Sequence, residues 1–581
     1  MRWQRKKFFD LFQCTYLRAQ IASMLLRCAG LPRVSNLMRT LPPRIFQPAG
    51  MLFDTMVDDA FRRINGFAKG DLGPFNESRV RCSVKKSGEG SRSMVETSPA
   101  AYAGAVALTA ASGLISPALV QSYYDGGGGG PPPDGGGGGF IGGDVSVRRP
   151  TKRRRLHSRS SSLSSPPSSS AVVVPAHRTV VENVEECIQQ LHSKVEDDGQ
   201  RTKELKELIN DNARLFWKKF MSADGSSSHA ATSFLHNSAP ATSTSTSTSS
   251  SSSIITADVK KDERRNEALK AAYQLQSKIT AVIEDAAFDR LLASAKSTED
   301  AVRMVNCTTN GATLFSQVKP MERSLEMTDF EWRSAIRHKY GMPPLIASHR
   351  VWYCLCGASV CAGHNHTCNS VSGPATTVRH DVVVGTLEDV IKQELGFSVK
   401  RLPRETRQKI VDGERDKFLI PDLIVSDDRG GYAVAIDVTG LYGEADSYLP
   451  KSSIEGWSAY ELRNKTVEAM VAREKRKDVH YKALLETEEM EEEMDVVPFV
   501  FESHGTLGSR AEDLITQITD YAEEQGYIES AVNLAGYFHR RISIAIQRGN
   551  AWLDRRATLS QRNSYSARAS LGLIQPLSGA A

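Results

Sequence analysis

Two short apolar segments, each carrying one aspartate, constrain the fold of this chain more than any other feature. Residues 420–425 contain Asp422, and residues 432–439 contain Asp437. Their length and their β-branched residues predict two strands. A carboxylate inside such a run is costly to bury unless it is paired or holds a cation. The pattern predicts neighbouring strands that bring both acids together as a divalent-metal site; the alternative is a pair of strand-end aspartates that face water.

The segments around these strands predict an α/β fold. A helix is expected over 376–395, a strand over 397–402, a charged helix over 457–486, a strand over 496–501 and helices over 509–556. Strands that alternate with helices in this way predict a mixed sheet with helices on its faces.

Tracts of glycine, proline and serine divide the rest of the chain. The hydrophobic content of 40% is below the usual globular share because of these tracts, which predict linkers without a packed core. The expected organisation is a helical region at 1–112, a disordered linker at 113–178, a helical segment at 179–222, a second linker at 223–260, a helical segment at 261–324, a helix and cysteine-rich segment at 325–375, the sheet core at 376–508, C-terminal helices at 509–556 and a disordered tail at 557–581.

The first linker carries a basic cluster, although the net charge of the whole chain is only +5. An exposed basic cluster within a linker predicts nuclear import or nucleic-acid binding, and the alternative is a solvated charged segment. Its members are Arg148, Arg149, Lys152, Arg153, Arg154 and Arg155.

Four of the nine cysteines fall between positions 354 and 368. Cys354, Cys356, His364 and Cys368 supply three thiolates and one imidazole, which is a closed tetrahedral ligand set typical of structural zinc. Cys361 and His366 are alternative ligands, and the other interpretation is free thiols in a loop. Clustered cysteines favour metal binding in a reducing compartment. Because no apolar run reaches about 18 residues, no membrane partner is expected.

Three polar residues follow the cysteine cluster near the predicted start of the 376–395 helix. Arg379 and His380 are candidates to face a phosphate backbone, and Asp381 would favour the helix start through its charge. Glu388, further along the helix, is a candidate third ligand of the divalent metal.

A nuclease of the restriction type needs a lysine near the attacking water as well as two carboxylates on a metal. The usual position, two residues after the second acid, is Thr439 here. The lysine must therefore come from elsewhere, and the charged helix offers Lys477. Lys477 and Tyr481 are four residues apart and share a helical face; the alternative is a solvated charged face.

These candidates occur in the order Cys354-x-Cys356, His364, Cys368, Arg379-His380-Asp381, Pro421-Asp422, Asp437-Val438-Thr439, Lys477 to Tyr481 and Pro498-Phe499-Val500-Phe501-Glu502. The series resembles the C-terminal restriction-like endonuclease of site-specific non-LTR retrotransposons, a branch of the PD-(D/E)XK nucleases. Residues 31–54 look like the thumb region that follows the reverse transcriptase in such elements, and residues 547–551 resemble their extreme C-terminus. The match covers about residues 15–112 and 325–556.

The resemblance implies a PD-(D/E)XK restriction-endonuclease-like mixed sheet with flanking helices, preceded by an all-α region and long disordered linkers. It implies an endonuclease that nicks one strand of duplex DNA, whose freed 3′ hydroxyl primes reverse transcription of the element RNA. Asp422 and Asp437 would bind Mg²⁺ or Mn²⁺. Lys477 would assist the attacking water, and Tyr481 would belong to the same catalytic site. The cysteine and histidine set would form a zinc knuckle that helps hold nucleic acid. A nuclear location and a separate reverse transcriptase partner are also expected.

Several residues depart from the family pattern. The polymerase fingers and palm are missing, and Asp58 and Asp59 fall in a helical pattern rather than in the hairpin of a polymerase site. His480 stands where the family often has a second lysine. The leading hypothesis is an active endonuclease. Because of these departures, the alternative is a catalytically silent zinc-containing DNA- or RNA-binding protein from the same element. In a third hypothesis the 179–295 helices are a protein-interaction module.

Overall fold

The computed structural model describes residues 8–13, 17–111, 252–345, 374–402, 421–450, 456–485 and 495–570, together with scattered residues between 186 and 208 and with residues 354, 356, 358, 360, 361, 363–368 and 370. The expected linker at 113–178, with its basic residues Arg148 to Arg155, lies outside the described residues. Most of the expected linker at 223–260 does so too.

The sheet has four strands: β1 (Ser398–Arg401), β2 (Leu423–Ser426), β3 (Ala433–Leu441) and β4 (Val496–Glu502). Their order in the sheet is β1-β2-β3-β4; the first three are antiparallel, and β4 is parallel to β3. A tight turn joins β2 to β3, whereas the parallel β3–β4 pair requires a helical crossover. The expectation of a mixed sheet is confirmed.

The helices outnumber the strands, and the protein is mostly helical. None of the helices in the described part of the chain is long and apolar enough to cross a membrane. In chain order they are α1 (Ala19–Leu25), α2 (Ser35–Thr40), α3 (Pro43–Asn65), α4 (Gly73–Arg81), α5 (Met94–Ala111), α6 (Ser252–Ala293), α7 (Thr298–Asn306), α8 (Asp329–Lys339), α9 (His364–Thr367), α10 (Pro374–Val390), α11 (Ala459–Leu485), α12 (Ser509–Glu524) and α13 (Ala531–Ser570).

Helices bury both faces of the sheet. On one face, a core shared with α10, α12 and α13 contains Val383, Ile436 and Phe499. On the other face, α11 packs Tyr481 against Ala435 and Val496. Every residue of β4 is buried, which explains why that segment reads as a continuous apolar run.

A second core joins the N-terminal helices to α8 and includes Phe53, Phe61 and Trp332. Asp58 and Asp59 lie within α3 and pair with arginines, Asp58 with Arg81 at 2.7 Å and Asp59 with Arg62 at 2.6 Å. They are helical, as the sequence predicts, and not part of a polymerase hairpin.

Two helices extend beyond their predicted ends. The disordered tail expected from residue 557 is wrong as far as residue 570, because α13 continues to Ser570 without a glycine or proline after Gly549. Ala557 and Thr558 are buried and anchor this extension. Similarly, α6 begins at Ser252, inside the linker expected over 223–260, since no glycine or proline interrupts residues 252–293.

The two helical segments predicted on either side of the second linker pack on each other. Leu191 and Leu205 are fully buried against Leu275 and Ile279 of α6, and Ala100 of α5 joins the same cluster. The two helical segments therefore contact the N-terminal region through α5.

A histidine–glutamate pair links α12 to α13, and it predicts a pH-dependent stability. His539 Nε2 lies 2.6 Å from Glu512 Oε2, and this hydrogen bond raises the pKa of His539 above its ordinary value. A raised folded-state pKa contributes stability that is complete below the ordinary histidine pKa and is lost as the pH rises through the folded value.

We expect E512Q to lower the melting temperature at about pH 6 and to have a much smaller effect at about pH 9. E524Q, on the same helix, is the control. A difference between wild type and E512Q that grows with pH would contradict the assignment.

Candidate functional site

The strands β2 and β3 place the two predicted aspartates opposite one another. The pairing of Leu423 with Ile436, extended by one residue, sets Asp422 beside Asp437. The backbone N–H of Asp422 donates to the carbonyl of Ile436 at 2.8 Å, and the N–H of Val438 donates to Asp422 Oδ2 at 2.8 Å. Both side chains are nearly inaccessible, with exposed fractions of 2% and 7%.

The carboxylate of Asp437 is held by two donors from α11. Lys477 Nζ lies 2.7 Å from Asp437 Oδ2, and the Tyr481 hydroxyl donates to the same oxygen at 2.8 Å. One helical turn separates the two donors, so a single helix face delivers both. The structure therefore brings Lys477 and Tyr481 to Asp437, although Thr439 occupies the usual position of the lysine.

Asp422 is contacted from α10 instead. His380 Nε2 lies 3.1 Å from Asp422 Oδ2, and its Nδ1 lies 3.1 Å from Asp381 Oδ1. Burial lowers the pKa of His380, but the hydrogen bond to Asp422 and the negative charge of that residue outweigh burial and raise it above its ordinary value. The helix already begins at Pro374, so Asp381 lies in its middle, and the expected role of Asp381 at the helix start is wrong.

Glu388 lies among cations. Lys392 Nζ is 2.6 Å from Glu388 Oε1, and Arg401 Nη1 is 3.9 Å from Oε2. Within the described ranges, the only group of three or more Cys, His, Asp or Glu side chains with ligand atoms inside 4.8 Å of one another is the cysteine cluster. The structure thus does not gather Glu388 with Asp422 and Asp437 into such a group.

The cysteine cluster has the dimensions of a tetrahedral zinc site. All four ligand atoms of Cys354, Cys356, His364 and Cys368 lie within 4.8 Å of one another. Cys354 Sγ and Cys368 Sγ are 3.5 Å apart, and Cys356 Sγ and His364 Nε2 are 3.6 Å apart. Zn–S bonds of about 2.3 Å give a tetrahedron whose edge is about 3.8 Å. The predicted set is therefore brought together and could hold a metal such as zinc.

The two alternative ligands lie outside this set. Cys361 is exposed. His366 is buried and its ring stacks on Tyr442 and on His338, with centroids 4.9 Å away in both cases. His338 stacks in turn on His504 at 4.7 Å. This row of four rings attaches the cysteine segment to the ends of β3 and β4, and we call it the ring stack.

A cleft of about 530 Å³ adjoins the aspartates through His380, which contacts Asp422, and through Thr439, two residues after Asp437; neither carboxylate lines it. The cysteine segment, α10, the end of β3 and α11 form its walls, and Arg379 and Arg473 enter it from α10 and α11. The Arg379 guanidinium is buried and lies 3.3 Å from Asn550 Oδ1. Burial lowers the pKa of Arg379 to about 10, so this group is still a cation at neutral pH. The residues that line the cleft include His366, Arg379, His380, Thr439, Tyr442 and Arg473.

Sequence reasoning missed Arg473 and Tyr442. Arg473 could have been found, because positions 473, 477 and 481 form a stripe with a spacing of four along α11. Tyr442 carries no comparable signal, since its stacking partner His366 is brought to it only by the tertiary fold.

Comparisons with known proteins add no relative. No family model matches the chain, and no curated protein matches it. The resemblance to retrotransposon endonucleases therefore depends on the order of the motifs.

The cysteine cluster predicts a ligand-specific loss of zinc. Changing Cys356 to serine removes one of four ligands, and we expect zinc in the purified, dialysed chain to fall from about one ion per molecule to a small fraction of that. Cys361 lies five residues away and outside the set, so C361S is the matched control and should keep its zinc. Elemental analysis by mass spectrometry measures both. Equal zinc loss in the two variants would contradict the assigned ligand set.

Proposed function

We propose that this protein is a metal-dependent DNA endonuclease of the restriction-like PD-(D/E)XK type, derived from a retroelement, that nicks duplex DNA by phosphodiester hydrolysis. The observation that carries this proposal is the placement of Lys477 and Tyr481 on the carboxylate of Asp437, opposite Asp422. In this proposal a lysine from the crossover helix takes the role that the family usually gives to a residue two positions after the second acid.

Each residue has a distinct task in this proposal. Asp422 and Asp437 supply the carboxylate oxygens that Mg²⁺ or Mn²⁺ prefers. Such an ion, when bound, polarises a phosphoryl oxygen and makes water more acidic. Lys477 places an ammonium group beside Asp437, where it can hold the attacking water by a hydrogen bond and balance negative charge. Tyr481, which is buried, fixes the orientation of the Asp437 carboxylate.

The surroundings suit a polyanionic substrate. His380 orients Asp422 through the 3.1 Å contact, and Arg379 places a cation in the adjoining cleft. The zinc knuckle is packed beside this cleft through His366, which is consistent with a role in holding nucleic acid. The proposed partners include element RNA and a separate reverse transcriptase. We also propose a nuclear location, on the basis of the basic cluster from Arg148 to Arg155.

One observation favours a second candidate, a catalytically silent DNA- or RNA-binding protein. Lys477 and Tyr481 both bind the same oxygen of Asp437, and two protein donors on one carboxylate oxygen compete with a metal ion. Moreover, Asp422 and Asp437 belong to no group of three or more Cys, His, Asp or Glu side chains whose ligand atoms lie within 4.8 Å of one another in the described part of the chain. A salt-sensitive binder without cleavage at any metal concentration would fit this arrangement.

Nicking of a supercoiled plasmid, with Mg²⁺ or Mn²⁺ and without metal, separates the two candidates. We expect metal-dependent nicking by the wild-type chain, and a loss of about 100-fold or more in D437N and in K477M, because these changes remove a metal ligand and the group beside the water. Lys475 is exposed on the same helix, so K475M is the matched control and should nick at the wild-type rate.

Two outcomes would contradict these expectations. Full nicking by D437N would place the active site elsewhere. A wild-type chain that binds DNA but never nicks it, with either metal, would establish the silent candidate.

A further inference from the structure

The cleft beside the aspartates holds two arginines whose charges are not balanced locally. No ion pair within 4.0 Å joins Arg379 or Arg473 to a carboxylate of the described residues. Glu502 and Asp554 attract Arg379 only at longer range. The Nε of Arg473 is buried without a hydrogen-bond partner. A buried cation without a counterion is costly, so this arrangement favours an anion in the cleft.

The position of Arg379 is tightly determined. A Cβ at Gly440 would lie 2.6 Å from the Phe501 ring and 3.3 Å from Arg379 Nη2. A side chain at position 440 would therefore displace the Phe501 ring. The guanidinium lies 5.7 Å from the centre of that ring and 3.3 Å from His366 Nδ1. The arginine is thus held in place before any ligand arrives, which reduces the entropy that binding would cost.

Arg473 enters from α11, the helix that also carries Lys477. These residues are one turn apart and lie on the same helix face, so Arg473 of the cleft lies one helical turn from the lysine that contacts Asp437. A planar guanidinium makes two parallel hydrogen bonds to a phosphate, which a lysine cannot do.

We propose that Arg379 and Arg473 together hold a phosphate group of DNA next to the one that is cleaved. The inference rests on the proposed nuclease function for the location of the cleaved bond, but binding at this subsite requires no hydrolysis. Arg473 would act as a positioning residue: it fixes the strand relative to Asp422 and Asp437 and takes no part in the reaction itself.

The test measures binding by the full chain to a fluorescently labelled DNA duplex, by anisotropy, over a range of salt concentrations. Ca²⁺ replaces Mg²⁺ so that the duplex stays intact. Each phosphate contact contributes about 0.9 to the slope of log K against log salt concentration. We expect R473M to weaken binding by about 10-fold and to reduce the slope by about 0.9. R473K should keep most of the slope, because it keeps the charge, and should still bind more weakly than wild type.

Arg476 is exposed on the same helix, so R476M is the matched control and should leave the slope unchanged. Zinc content and the melting temperature verify that each variant is folded. Equal slopes for R473M and wild type would overturn the proposal, and so would equal reductions in R473M and R476M. A single-stranded RNA of equal length provides a further arm: if Arg473 affects RNA binding and not duplex binding, the assignment to DNA is wrong.

Failure of this inference is distinguishable from failure of the proposed function. A chain that never nicks plasmid but shows the Arg473 effect on slope keeps the phosphate subsite and loses the nuclease. A chain that nicks normally but lacks that effect keeps the nuclease and loses the subsite.

Discussion

The hydrogen bonds that Lys477 and Tyr481 make to Asp437 join the sheet to its crossover helix, and the candidate site depends on them. A carboxylate with an exposed fraction of 7% is tolerated in a strand interior only with such partners. The same contacts fix the rotation of α11 over the sheet, with Tyr481 packed against Ala435 and Val496. That rotation in turn directs Arg473 into the cleft. These two contacts therefore determine both the geometry at the aspartates and the position of Arg473 in the adjoining cleft.

A buried polar network connects this sheet to the helices that precede it. Arg303 of α7 and His504, which follows β4, both contact the carboxylate of Glu444 at 2.6 Å. Charged groups at this depth are costly unless they are paired, so each group is stable only while the other elements are in place. The end of the sheet, α7 and the ring stack are in consequence parts of one packed unit.

Much of this arrangement could be predicted from sequence because it is encoded locally. The β-branched runs predict β2 and β3, the ligand spacing predicts the cysteine cluster, and the spacing of four predicts that Lys477 and Tyr481 act together. The ends of α13 and α6 could be predicted less well. Both helices continue through polar sequence in which no glycine or proline marks an end. The ring stack and the environment of Arg379 could not be predicted, because Tyr442, His338 and His504 meet His366 only in the folded protein. The partners of Glu388 could not be predicted either, because Arg401 of β1, at the edge of the sheet, approaches Glu388 only in the folded protein.

The ring stack has a thermodynamic consequence for the cysteine cluster. His366 lies two residues from the predicted ligand His364 and also touches Arg379, so the candidate metal site and the cleft share a wall. If loading of the metal site orders that wall, linkage requires the reciprocal effect: an anion in the cleft must raise the metal affinity by the same factor by which the metal raises the anion affinity. Metal retention and substrate occupancy would then be two measures of a single coupling free energy.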